Sequence, residues 1–423
     1  MPDSKPYPGN QISLRCIRCS ASYPADHEYV GCPSCNAEGV AVNLEVDYGQ
    51  PPPIDLRAWE RRPRGLWRYD SALPLGSSAA VSLGEGATPL VACETLGTRV
   101  GLPRLLAKNE SQNPTWSFKD RLGTLAISWA RSLGRPGIAL SSSGNAGATA
   151  AAYAARAGMR CIVFTTRSFP GPMLRFMRSF GAMVVAAPSA PERWTLNRIV
   201  CEQWGFMPVS NLSNPPIGSH PVAIEGCKTI AYEIVEDLSG SPPDVVVIPV
   251  AYGDALAGIY RGFQDLVQAG VIERIPRLVA AEAYPSLSTA LRENLSIPPA
   301  VAGSGSLASS AATPQGTFQA LRSIRGSGGT AVTVSNEEVS RARTELRERE
   351  GLLVEFSSAM PFAAAQKLAA AGELSPDDVV VALITSSGLK DPESMSDDGE
   401  LPLAEPTLES LMRVLDEEYQ FAP

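Results

Sequence analysis

Two histidines, His27 and His220, are all that the 423 residues contain, so chemistry built on a histidine dyad has little material to work with. No uncharged apolar run approaches the roughly 18 residues needed to span a bilayer. Met1 to Leu14 also lacks the apolar segment of a secretory signal, and the sequence predicts a cytoplasmic protein with no membrane contact. Positive charge is in deficit: 44 Asp and Glu against 36 Lys and Arg leave a net charge of −8, which argues against a nucleic-acid partner. An anionic ligand must then be held by local groups and not by the overall field. What remains is ordinary globular material, 44% hydrophobic and 19% charged, too apolar for disorder. At roughly 150 residues per domain the chain makes two or three domains.

The eight cysteines are unevenly placed. Cys93, Cys161, Cys201 and Cys227 are scattered, whereas Cys16, Cys19, Cys32 and Cys35 form two C-x-x-C knuckles. Without a secretory signal, such a quartet points to metal before disulfides. Four thiolates saturate a tetrahedral Zn²⁺ and leave no position open for a substrate, so the expected metal is structural and residues 1–45 form a small zinc ribbon. A nucleic-acid-binding ribbon is the competing reading, weakened by Asp26, Glu28, Glu38 and Glu45 around the knuckles. His27 is a spare ligand that four cysteines make unnecessary.

Residues 46–83 read as an extended connector with short helices, punctuated by Pro51–Pro53 and the Arg61–Arg64 cluster. From Leu105 onward short apolar runs alternate with helical patterns. The runs are Gly137–Leu140, Arg160–Thr165, Ala182–Ala187, Asp244–Val250, Leu278–Ala281 and Val379–Ile384. Helices are predicted over Gly123–Ser132, Ala146–Arg156, Pro172–Phe180, Glu192–Trp204, Glu225–Leu238 and Leu256–Gln268. Such alternation means βαβ units on a parallel sheet. Ala302–Gly329 is rich in Gly, Ser, Ala and Thr and reads as a flap or long loop. Ser335 and Glu338 have capping-box spacing ahead of a helix to Arg349.

Three loops sit where open α/β sheets place their ligands. Asn113 to Arg121 (NPTWSFKDR) puts Lys119 just ahead of a helix, where the positive dipole end suits an amine that attacks carbonyls. Ser141 to Gly147 (SSSGNAG) offers hydroxyls and N–H groups at a helix start, a cradle for carboxylate or phosphate. Pro249 to Gly258 (PVAYGDALAG) is a third strand-to-helix loop, poor in glycine for a phosphate site.

Together with Leu83–Leu90 (LGEGATPL), Lys108–Glu110, Glu225–Thr229 (EGCKT) with Glu233, and Thr385–Asp391 (TSSGLKD), these segments resemble the threonine synthase branch of the fold-type II pyridoxal-phosphate (PLP) enzymes. The resemblance spans Leu14 to Pro392. It implies two open, mostly parallel sheet domains with the cofactor between them, a zinc ribbon of residues 1–45, and a homodimer. Residues 46–105 and 206–423 would form the larger domain and 106–205 the smaller. Lys119 becomes the Schiff-base lysine with Phe118 behind it, and Asn145 the partner of the PLP 3′-oxygen. Ala251, Tyr252, Gly253, Asp254 and Ala255 become the cofactor-phosphate cup. Thr385 would face the pyridine nitrogen, a neutral hydroxyl that favours elimination and replacement over transamination. Ser142, Ser143, Gly144, Asn145 and Ala146 become the carboxylate loop for a small phosphorylated amino acid. The implied reaction is O-phosphohomoserine plus water to threonine plus phosphate. The same cofactor also serves β-replacement on O-phosphoserine, serine or threonine dehydration, and specialised biosynthesis. A non-catalytic ribbon protein is the reading from another class, opposed by the intact Lys119, Asn145 and Thr385 set.

Two departures from the family pattern bear on substrate. Trp116 stands where glycine is usual, either shaping the pocket or packing beneath the lysine loop. Ala251 and Asp254 stand where glycines are common in the cup, and Asp254 is expected to turn away and cap the following helix. Lys108, Arg121, Lys228 and Ser358 are the candidates for holding a leaving phosphate, each weighed against a structural role. His220 is expected to be structural.

Overall fold

The computed structural model describes residues 12–27, 31–167, 171–189, 191–395 and 401–421; Glu28, named above among the acidic neighbours of the knuckles, lies outside them. Residues up to Lys390 form one compact unit and Asp391–Pro423 a second. Within the second, Thr407 accepts from Ser410 N–H to cap the helix Leu408–Tyr419.

The first sheet is antiparallel, made of β1 (Ser13–Cys16), β2 (Ser22–Pro24) and β3 (Leu44–Asp47) in the order β2-β1-β3. Leu14 pairs with Val46 and both are buried, so one face of this ribbon is a small apolar core.

A six-stranded sheet follows, of β4 (Leu90–Ala92), β5 (Leu105–Asn109), β10 (Val245–Pro249), β11 (Arg277–Glu282), β12 (Thr330–Thr333) and β13 (Val380–Ile384). Its order is β12-β11-β10-β13-β5-β4, parallel except for β4. The apolar runs of β10 and β13 are continuous because both faces are covered. Val246 and Ile248 enter one core with Ile230, Ile234 and Leu256, while Val245 and Val247 enter another with Ala342, Leu346 and Phe362.

The four-stranded sheet, β6 (Gly137–Ser141), β7 (Arg160–Thr166), β8 (Met183–Ala187) and β9 (Met207–Pro208), is parallel in the order β8-β7-β6-β9. Ile138 and Leu140 face the helices Lys119–Ser132 and Asn145–Ala157, and Ala139 faces Val200 of Glu192–Trp204. The loops after β6 and β10 open at the carboxyl ends of their strands, as expected for ligand sites in such sheets. Gly226 allows the Lys119 helix its close approach, since a Cβ there would lie 1.9 Å from the Arg121 carbonyl oxygen.

Two expectations need correction. Ala302–Gly329 is not a loop throughout: Thr317 accepts from Ala320 N–H and starts a helix over Phe318–Gly326, whose Ala320, Leu321 and Ile324 are buried. The helix predicted over Glu225–Leu238 begins as a 3₁₀ turn, Glu225–Cys227, before the α-helix Lys228–Asp237. The capping box of Ser335 and Glu338 is present. No helix among the described residues is long and apolar enough to cross a membrane.

Candidate active site

Lys119 is the first residue of its helix, and the loop before it is tightly braced. Asp120 accepts from Thr115 N–H at 2.6 Å and from the Thr115 and Thr149 hydroxyls at 2.5 and 2.8 Å. Burial pushes the Asp120 carboxyl up to about 6 against those bonds. Phe118 N–H donates to the Thr385 carbonyl at 2.9 Å, tying the lysine loop to the end of β13. The Lys119 side chain is 22% exposed, its Nζ 3.7 Å from Asp254 Oδ2 and 4.7 Å from the Phe118 ring centroid.

After β6, Ser142 Oγ accepts from Gly144 N–H and Gly147 N–H at 3.2 and 2.9 Å, so this hydroxyl shapes the loop and the helix start. Ser143 Oγ lies 3.2 Å from Thr165 Oγ1 and accepts from Arg193 Nη1 at 3.1 Å. A Cβ on Gly144 would meet nothing within 4 Å, leaving open space beside Ala146. Asn145 Nδ2 donates to both Glu355 oxygens at 3.2 Å, and its Oδ1 accepts from Ser386 Oγ at 3.2 Å. The two sheets therefore meet at Asn145, next in sequence to the open loop.

Thr385 Oγ1 is 2.9 Å from Ser358 Oγ, which also accepts from Thr385 N–H and Ser386 N–H. In the third loop, Val250 is the last residue tied to β11, Ala251 and Tyr252 turn the chain, and Gly253 has φ +76 with Ala320 2.6 Å from where its Cβ would be. The helix Asp254–Gln268 starts here with first-turn N–H groups, Ala255 among them, that have no intrahelical acceptor. Asp254 is not the cap: it is the first helical residue, and its carboxylate turns away to accept from Ser219 N–H, Ser219 Oγ and Gln319 Nε2 at 2.9, 2.6 and 3.0 Å. A primary amine, a carboxamide, a neutral hydroxyl and a helix-start N–H cradle around one cleft form a donor set that fits pyridoxal phosphate.

Three candidate cations are already engaged. Arg121 is fully buried between Glu110 and Glu233 at 2.6 and 2.7 Å. Lys108 is held by Glu233 and Asp237, and Lys228 by Glu225 and Asp265. Ser358 sits behind Thr385. The arginine beside the open loop is Arg193, whose charge also reaches half-buried Tyr252. The sequence signal for it was its place at the head of the helix that follows β8. Glu355 had no such signal. Trp116 has φ +59, is 42% exposed and lies 5.7 Å, ring to ring, from Phe176. It is therefore not packed beneath the lysine loop.

In the ribbon, the four thiol sulfurs lie within 4.8 Å of one another, with Cys16–Cys35 and Cys19–Cys32 each at 3.6 Å. Zn–S bonds of about 2.3 Å in a tetrahedron put sulfurs about 3.8 Å apart, so the set fits zinc. Cys19 N–H and Cys35 N–H each point at the first sulfur of their knuckle at 3.5 Å. His27 stays outside the cluster and stacks on Tyr23 at 4.8 Å. His220 Nδ1 accepts from Val222 N–H at 3.2 Å, capping a short helix.

The chain is 32% identical to threonine synthase of Methanocaldococcus jannaschii, covering 95% of this chain and 99% of the relative. It is 30% identical to that of Methanosarcina acetivorans over 92% and 95%. Maize serine racemase shares the fold with a TM-score of 0.61 at 20% identity, covering 71% of this chain and 88% of that one. The processed form of threonine deaminase isoform 2 from Solanum lycopersicum does so at 0.61 and 20%, covering 71% and 79%. The family model described as "Pyridoxal-phosphate dependent enzyme" matches residues 81–386, and the chain belongs to that family, as a PLP-dependent lyase of its threonine synthase-like branch.

Proposed function

We propose that the protein converts O-phosphohomoserine and water to threonine and phosphate, with Lys119 as its cofactor-bearing and proton-transferring residue. The observation that carries this reading is the convergence of Lys119, Asn145, Thr385 and the Gly253 turn on one cleft, beside the open Gly144 loop. When bound, pyridoxal phosphate supplies an electrophilic carbonyl and a sink for the electrons released at the substrate Cα.

The chain's own groups do the rest. Lys119 Nζ takes the proton from Cα and gives it up before taking one from Cβ; the Cγ–O bond then breaks with the bonding pair leaving on phosphate, a proton is returned to Cγ to make the methyl, the hydroxyl of a water adds at Cβ as its proton leaves with the phosphate, and a proton is returned to Cα. Asn145, clamped by Glu355 and Ser386, would orient the ring hydroxyl, and Thr385 Oγ1, set by Ser358, would offer the ring nitrogen an uncharged partner. The N–H groups of the turn at 251–255 would hold the cofactor phosphate. Ser142 to Ala146 hold the substrate carboxylate, and Arg193 at Ser143 binds the anionic end of the substrate. Trp116, exposed and in ring contact with Phe176, is read as bordering that space. A space narrowed by it would favour, as a second reading, the shorter O-phosphoserine.

The same proposal takes residues 46–105 and 206–423 as the larger PLP-binding domain and 106–205 as the smaller, although these bounds cut β5 of the six-stranded sheet after Leu105 and leave β9 of the four-stranded sheet on the larger side. It also takes Cys16, Cys19, Cys32 and Cys35 as a structural zinc site and the protein as a cytoplasmic homodimer. Phosphate release and amino-acid products from O-phosphohomoserine, and from O-phosphoserine with and without sulfite, test the substrate. Threonine plus phosphate from the first supports it. Release from phosphoserine alone moves the reaction to the second reading. Arg193→Ala is expected to raise KM for the phosphorylated substrate about tenfold or more, as befits one lost charge-assisted contact.

A further inference from the structure

A closed ring of hydrogen bonds through Asn43, Gln319, Asp254 and Ser219 joins the ribbon to the turn at 251–255. Asn43, buried just before β3, donates from Nδ2 to Gln319 Oε1 at 3.0 Å and to the Ser219 carbonyl at 3.1 Å, while its Oδ1 accepts from Leu44 N–H at 2.8 Å. Gln319, in the first turn of the helix Phe318–Gly326, donates from Nε2 to the Tyr252 carbonyl at 2.8 Å and to Asp254 Oδ1 at 3.0 Å. Ser219 closes the ring by giving its N–H and its hydroxyl to the same carboxylate, which faces Lys119 Nζ. The amides fit in one orientation. Turning Gln319 over would set its oxygen against a carbonyl and a carboxylate, and its nitrogen against that of Asn43. Nor is there slack, since a Cβ on Gly218 would lie 2.3 Å from Gln319 Nε2 and 2.6 Å from Asp254 Oδ1.

Two further contacts carry the ring into the ribbon. Cys32 N–H donates to the Val42 carbonyl at 2.9 Å, which ties one of the four cysteines to the residue before Asn43. Glu45, two residues after Asn43, places Oε2 3.0 Å from Arg261 Nη1 and 2.8 Å from Arg322 Nη1. Those arginines belong to the helices Asp254–Gln268 and Phe318–Gly326, so β3 grips both helices that hold the turn. Thr317 Oγ1 also donates to the Tyr252 carbonyl, at 2.7 Å; loss of Asn43 therefore loosens the turn without undoing it.

We propose that the ribbon is a positioning element for the cofactor: Asn43, acting through Gln319 and Ser219, sets the turn at 251–255, so that metal at the four cysteines and pyridoxal phosphate at the turn each tighten the other's binding. This coupling rests on the reading of residues 251–255 as the cofactor-phosphate cup. It is reciprocal by thermodynamic necessity.

The PLP dissociation constant of the full chain tests it, measured from cofactor absorbance with zinc bound and after chelation, in the parent, in Asn43→Ala and in the size-keeping Asn43→Asp. Gly253→Ala, which crowds Ala320 at the turn itself, is the control for the cup. With zinc supplied, both Asn43 variants should bind PLP about tenfold more weakly, the scale of one hydrogen bond. Chelation should weaken the parent similarly and barely change the variants. A brace that serves stability alone lowers the melting temperature and leaves these constants unmoved. Asn43 variants with the parent's affinity, or chelation that leaves the parent unchanged or weakens parent and variants alike, overturn the coupling. In that event weaker PLP binding in Gly253→Ala leaves the cup reading standing, and unchanged binding there removes it as well.

Discussion

Lys119 Nζ lies 3.7 Å from Asp254 Oδ2, across the interval between the helix that Lys119 begins and the helix that Asp254 begins. On the proposed reading this carboxylate lies beside the N–H groups that would hold the cofactor phosphate, and its own partners hold it to one side. Ser219 and Gln319 hold the Asp254 carboxylate on the side of the lysine. Asp254→Ala leaves a buried Ser219 N–H without its acceptor and is expected to cost about 2–4 kcal/mol, while Asp254→Asn retains most of it. Chemical denaturation of the two variants checks this; an alanine variant as stable as the parent would refute the brace.

Trp116 carries a left-handed backbone, φ +59, in a loop whose carbonyl is pinned by Ser387 N–H and Ser386 Oγ at 3.1 and 3.0 Å. Trp116→Gly relieves roughly 1–2 kcal/mol of backbone strain and gives up a ring contact with Phe176 worth about 0.5–1.5 kcal/mol. Stability should change by less than about 1.5 kcal/mol. Relative kcat/KM for O-phosphohomoserine and O-phosphoserine should move in favour of the longer substrate. A large loss of stability with unchanged preference contradicts a role in the cleft.

Much of the architecture was readable because its causes are local. Val245–Pro249 and Val380–Ile384 are continuous apolar runs, and a strand covered on both faces needs them. The helix Phe318–Gly326 was not readable, because its glycine- and serine-rich surroundings mask a short amphipathic segment that only docking on the sheet stabilises. Asp254 misled for a related reason. Sequence places an acid beside a helix start, but the partners that turn it, Ser219 and Gln319, come from segments far apart in the chain. Arg193 and Glu355 reach the loop of Ser143 and Asn145 in the same way, through tertiary packing.

Lys390 supplies a pH signature. Its ammonium is buried, donates to the Thr115 carbonyl at 2.7 Å, and is drawn down to about 8 by burial, with Glu355 and Asp120 opposing. The folded value lies below the unfolded one near 10.5, so the unfolded chain binds more protons between those values. Lys390 thus costs stability fully below pH 8, on the order of 3 kcal/mol, and the cost fades as pH rises through about 10.5. Stability measured from pH 7.5 to 10.5 should rise more steeply in the parent than in Lys390→Met. Parallel curves contradict this.

The ribbon sulfurs predict one zinc ion per chain by elemental analysis. Cys32→Ser should lose most of it, and chelation should lower the melting temperature, because zinc that binds only the folded ribbon stabilises the folded state by its binding free energy. Metal-free protein with unchanged melting would exclude a structural zinc.

Borohydride reduction of the PLP-loaded protein followed by peptide mass mapping tests the central assignment most directly. The predicted result is a pyridoxyl mass on Lys119 and on neither Lys390 nor Lys108. A label on another lysine, or no label at all, would contradict Lys119 as the residue that carries the cofactor.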